Sequence, residues 1–135
     1  MSYAADSNGE RVYFERELSV TDSREQLYHL AKQCLEDSER WFGDSGKVHD
    51  LPHHGLGLGG ETGEVLEIIK KIDRGSLDLS DPNVEEALAL ELTDVLIYVL
   101  NLAAILNIDL QQTYNQKRSI NEDRFMRQRR ERESR

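Results

Sequence analysis

The stretch ALALELTDVLIYVLNLAAIL, residues 87–106, contains only two charged residues, Glu91 and Asp94. Its length and apolarity would suit a membrane span. Two acids at mid-membrane argue otherwise, each costing about 2.5–3.5 kcal/mol on insertion scales, and no cationic anchors flank the run. It reads instead as a buried helix of a soluble all-α bundle. Glu91 and Asp94 are spaced i,i+3 and leave one face of that helix, with Leu90, Leu92, Val95, Leu96 and Ile97 around them. Isolated buried carboxylates are costly, and two like charges one turn apart are worse. The helix has no internal Lys or Arg to neutralise them. A second acidic pair opposite, with divalent cations between the two, would.

Upstream, Glu61 and Glu64 repeat the i,i+3 spacing. Spacing alone carries little, because 26 of 135 residues are acidic and Glu36/Glu39 and Glu64/Glu67 are spaced alike; such a pair is ordinarily a solvated helix face. The apolar surroundings of Glu91 and Asp94 single out the two pairs. Oxygen-only ligation favours Mg²⁺, with Mn²⁺ as substitute, over Zn²⁺. A di-iron bundle would use Glu-x-x-His pairs, and neither pair contains His. The Glu61 helix is predicted over about 54–73, its apolar positions Leu58, Val65, Leu66, Ile68, Ile69 and Ile72, with Gly75 as its stop. Gly55, Gly57, Gly59, Gly60 and Gly63 fall within it or at its start, each costing about 1 kcal/mol relative to Ala. Either something approaches this backbone closely or the helix starts later.

Three further elements complete the reading. A first helix runs from Asp22 or Ser23 to Trp41 with Leu27, Leu30, Ala31, Cys34 and Leu35 on its apolar face. A loop, DSGKVHDLPHH, carries His49, His53 and His54, which could reach phosphate or base but are more simply solvated. The third helix spans about Val84–Leu106, with Asp81-Pro82 at its start and Asn107 at its end. Asp109 caps a fourth helix, with Gln112 completing a capping-box pattern, and that helix continues to about Arg127. The domain organisation is then an arm over residues 1–20 with one apolar cluster, Val12-Tyr13-Phe14; a helical domain over 21–127; and a charged tail over 128–135 that frays. Cys34, the single cysteine, excludes an intramolecular disulfide and suits a reducing cytosol as a small core residue. No signal-peptide pattern is visible.

The formal net charge of −9 argues against a nucleic-acid binder. Charge is uneven: Lys117–Arg135 holds eight Lys/Arg against four Asp/Glu, a local +4 that leaves −13 on residues 1–116. An acidic body that handles phosphate needs a divalent cation or a basic patch.

Three ordered motifs, GLGGETGEV (57–65), ELTDVLIYVLNLAA (91–104) and KRSINEDRF (117–125), resemble the MazG-like, all-α NTP pyrophosphatase superfamily, which includes dCTP pyrophosphatases and dimeric dUTPases. The resemblance spans about residues 23–125. It implies that Glu61, Glu64, Glu91 and Asp94 bind Mg²⁺, and that Lys117, Asn121 and Arg124 bind triphosphate oxygens. At i, i+4 and i+7 those last three share one helix face. Tyr98, one turn after Asp94, resembles a nucleoside-contacting position, and Trp41 an aromatic base-stacking one. A packing role for either aromatic stays open. Lys71 departs from the pattern, since dCTP-preferring animal relatives carry a tryptophan there.

The expected function is a cytoplasmic, Mg²⁺-dependent nucleoside triphosphate pyrophosphohydrolase releasing monophosphate and pyrophosphate by water attack at the α-phosphorus, with Glu64, beside Glu61, as base. Narrower alternatives are a dUTPase or dCTPase; from another class comes a non-catalytic helical regulatory module. Because the third helix is apolar nearly all round, a homodimer or dimer of dimers is expected, with neither nucleic acid nor membrane as partner.

Overall fold

A computed structural model describes residues 23–134. Four helices make up the architecture: α1 Ser23–Phe42, α2 Leu51–Asp73, α3 Pro82–Ile105 and α4 Leu110–Glu133, with a short 3₁₀ turn over Gly43–Ser45. No strand occurs among the described residues, and the chain is all-α as its sequence indicates. The arm with Val12, Tyr13 and Phe14 lies outside the described residues.

The helix ends follow local chemistry. α2 begins three residues before the expected His54, so His53 and His54 are helical and not in a loop. Pro52 makes this early start possible as the second helical residue, where its missing N–H costs nothing. At the other end Gly75 takes a left-handed φ of 74°. The Ser76 amide donates to the Lys71 carbonyl and the Gly75 amide to that of Ile72, each at 2.9 Å, which closes a Schellman turn. Asp81 opens α3 by accepting from the Asn83 amide at 2.9 Å, with Pro82 as first helical residue. Asn107, at φ 53°, ends α3 by the same device as Gly75, the Ile108 amide reaching the Ala103 carbonyl at 2.8 Å. Asp109 then caps α4, its Oδ1 accepting from the Gln112 amide at 2.9 Å. α4 runs past Arg127 to Glu133, helped by an Arg129–Glu133 pair one turn apart at 2.8 Å.

The described residues form two compact units, 51–99 and 23–50 with 100–134. In the first, Val65 of α2 and Val84 of α3 are buried, while Leu58, Ile68, Ile72, Leu88, Val95 and Ile97 are half-buried. α3 is not the buried helix its composition suggests: Leu90, Leu92 and Leu96 are 60%, 52% and 41% exposed. The reason is geometric, since an all-apolar helix needs partners on every side and α2 covers one. Leu66 and Ile69 of α2 are exposed as well.

In the second unit, Ala31 of α1, Val48 of the following loop, and Leu100 and Ala103 of the α3 end are buried. Asn101, also buried, donates from Nδ2 to the Ser38 Oγ at 3.2 Å, which satisfies the amide. Cys34 is half-buried, and burial first, then Asp37, pushes its thiol up from the ordinary value. A raised thiol pKa leaves less of the nucleophilic thiolate, as for a packing cysteine. α4 buries no residue.

Candidate metal centre

α2 and α3 are antiparallel neighbours in their unit, a geometry fixed by three levels of contact: Gly57 lies against Tyr98, Glu61 interacts with Asp94, and Glu61 and Glu64 meet Glu91. Carboxylate oxygens of Glu61, Glu64 and Glu91 all lie within 4.8 Å of one another. Asp94, one turn after Glu91, adds its charge to Glu61 without joining that closest group. Glu61 and Glu91 are half-buried, whereas Glu64 and Asp94 are exposed. The cluster is therefore open on one side and not sunk in a core, because α3 itself is open.

The Glu61 carboxyl is pushed above its ordinary range, first by desolvation and then by Asp94, Glu64 and Glu91. Among the described residues no ion pair includes any of these four acids, whereas Glu36, Glu39 and Glu67, of the other pairs spaced alike, each have a local partner. Glu36 pairs with Lys32 at 3.7 Å. Glu39 pairs with His49 at 2.9 Å. Glu67 meets Lys70, and Lys71 at 3.6 Å, and those two hold its carboxyl below the usual range. Thr62 and Thr93, the residues after Glu61 and two after Glu91, turn back to the Leu58 and Ala89 carbonyls at 2.7 and 2.8 Å and offer the acids no donor. Three hard oxygen donors in one small volume, without a basic partner, fit a divalent cation of the Mg²⁺ type.

Tyr98 is half-buried, and its ring is met by His54 edge-on, centroids 5.9 Å apart and planes at 62°. His54 is buried, so it is not the solvated loop residue expected. His53 is exposed on the same helix, and His49 is engaged with Glu39. Neither signal for the Tyr98 seat, His54 nor the particular glycine, stands out in the sequence until the register of α2 on α3 is known.

The other expected binding residues belong to the second unit. Trp41 is 63% exposed at the end of α1, edge-on to Phe42, with the Arg40 guanidinium 5.4 Å from its ring. On α4, Lys117 and Asn121 share a shallow hollow with Tyr114, Arg118 and Glu122. Asn121 keeps its Oδ1 from solvent without a hydrogen-bond partner. Arg124 lines a separate hollow with Asp123 and Arg127, its guanidinium 4.6 Å from the Phe125 ring.

A paired-helix, all-α protein with an unneutralised carboxylate cluster between two helices is the class that fold and site define. Residues 54–119 match the family model of the MazG nucleotide pyrophosphohydrolase domain. That stretch of the chain is similar to the nucleotide pyrophosphohydrolase domain, which is consistent with a MazG-like all-α superfamily. The matched stretch includes Glu61, Glu64, Glu91, Asp94, Tyr98 and Lys117, begins after Trp41, and ends before Asn121 and Arg124. Comparison with curated proteins gave no match, and comparison with solved structures gave none.

Proposed function

We propose that the protein hydrolyses nucleoside triphosphates to nucleoside monophosphate and pyrophosphate with Mg²⁺ as cofactor, Mn²⁺ substituting. The observation that carries this reading is the carboxylate cluster of Glu61, Glu64 and Glu91, unpaired and within 4.8 Å, inside the MazG match. Glu61, Glu64, Glu91 and Asp94 would hold the metal, which supplies neutralisation of phosphate charge and acidifies a water. Glu64, exposed and without a basic partner, takes the proton of the attacking water. The water oxygen bonds to the α-phosphorus, the bond from that phosphorus to the bridging oxygen breaks, and pyrophosphate leaves with the bond electrons. Lys117, Asn121 and Arg124 hold the leaving group, and Trp41 and Tyr98 contact the nucleoside. The working form is a cytosolic homodimer or dimer of dimers.

The test is pyrophosphate release across a panel of ribo- and deoxynucleoside triphosphates with and without Mg²⁺. Metal-dependent release with at least one nucleotide supports the reading, and the pattern of specificity constants separates a broad enzyme from a dUTPase or dCTPase. No turnover with any member overturns it in favour of a non-catalytic helical module. In ¹⁸O-water the label should enter the monophosphate; label in pyrophosphate, or orthophosphate as product, contradicts attack at the α-phosphorus.

A further inference from the structure

Of the five glycines near the start of α2, only Gly57 faces another side chain. A Cβ on Gly57 would fall 2.9 Å from Cδ1 of Tyr98 and closer still to Cε1 and Cζ. Around Gly55, Gly59, Gly60 and Gly63 a Cβ would meet nothing within 4 Å. Gly57 therefore has a specific consequence: its bare backbone is where the Tyr98 ring rests. His54, buried three residues earlier, supports the ring by its edge. Gly57 precedes Glu61 by one turn and Tyr98 follows Asp94 by one turn, so the ring is the next feature beyond the carboxylates along the paired helices.

We propose that Gly57 and His54 are positioning residues that act through Tyr98, setting its ring as a wall for the first organic group of the triphosphate. The inference rests on the reaction proposed above. With phosphates held at the carboxylates, one turn of helix, about 5.4 Å, carries the substrate from the cluster to the ring. An aromatic face there gives apolar contact to a sugar or base and nothing to phosphate. A side chain at position 57 would displace the ring while leaving the four acids in place.

Steady-state kinetics on wild type, Gly57→Ala, Tyr98→Ala and the double variant test this, with inorganic tripolyphosphate as a competitive probe lacking any organic group. Gly57→Ala is expected to raise KM about tenfold, with kcat, Mg²⁺ half-saturation and the tripolyphosphate inhibition constant changed less than about twofold. In the Tyr98→Ala background the same substitution should have almost no effect, since the new Cβ meets vacated space. Should Gly57→Ala fail to fold, His54→Ala and His54→Phe decide the matter: KM rises in the first and returns toward wild type in the second, which restores a ring edge. An unchanged KM in Gly57→Ala, or tripolyphosphate inhibition weakening in step with KM, overturns the inference while leaving the reaction standing. Absence of wild-type turnover overturns both.

Discussion

Glu61 is half-buried beside three other carboxylates, so its ionisation opposes folding. Its folded-state carboxyl lies above the ordinary range, so the folded protein binds this proton more tightly than the unfolded chain does. The contribution to stability is complete below the unfolded value and is lost as pH rises through the raised folded one. In metal-free protein, melting temperature should fall as pH climbs through and just above the carboxylate range, and Glu61→Gln should flatten that part of the profile; an identical profile in the variant counts against the shift. Glu91→Gln should abolish Mg²⁺-dependent turnover and leave circular dichroism unchanged, since it removes a charge from the cluster without removing volume. Wild-type activity with unchanged metal affinity would take Glu91 out of the site. Both pairs of acids were legible because charge inside an apolar run needs an explanation. Their difference from Glu36, Glu39 and Glu67 lies in neighbours: Lys32 one turn before Glu36, and Lys70 and Lys71 one turn after Glu67, are legible in the sequence, whereas His49, which meets Glu39, comes from the loop beyond the helix. The sequence alone marks Gly57 only as one glycine of five, because the residue it faces comes from another helix.

Among the elements, α4 depends most on local signals. It buries none of its side chains, so tertiary packing contributes little and the Asp109 cap weighs more than usual. Asp109→Ala should cost about 1 kcal/mol of stability, read as a lower denaturant midpoint with unchanged slope; a loss below the measurement error would mean that packing holds the helix start. The same logic explains why α4 runs beyond the end that its sequence predicts. Arg and Glu favour helix in water, and i,i+4 pairs such as Arg129–Glu133 extend it without a core. Deleting residues 128–135 should still leave activity near wild type, because everything proposed for phosphate lies at or before Arg124; loss of folding would show that this charged helical end packs on another subunit. Helix stops are the boundaries most legible in the sequence. Gly75 and Asn107 are residues that tolerate a left-handed φ, and each sits where the apolar pattern ends. The sequence predicts too late a start for α2 because Pro-His-His looks like a loop, although proline in a first turn is equally a helix opener.

At the scale of the whole molecule the apolar surface is out of proportion to the core. Six apolar side chains are buried among the described residues, while eighteen large ones are exposed. Single exposed leucines are ordinary, but Leu92 and Leu96 are one turn apart on α3, and Leu66 and Ile69 are neighbours on α2 of the same unit. Full burial of each would contribute about 1.5–3 kcal/mol, which is enough in sum to drive association. α3 also has the length and composition to cross a membrane, so lipid and protein compete as covers for these residues. We propose a second copy of the chain as the occupant. It removes the leucines from water and keeps the Glu61, Glu64, Glu91 cluster in reach of solvent, which a lipid core would not. Light scattering at micromolar concentration should give the mass of a dimer or dimer of dimers. Leu92→Glu with Leu96→Glu should shift that mass downward and lower the melting temperature. A stable wild-type monomer, or wild-type protein that floats with neutral lipid vesicles in a density gradient, would contradict the assembly even if the metal centre proved correct.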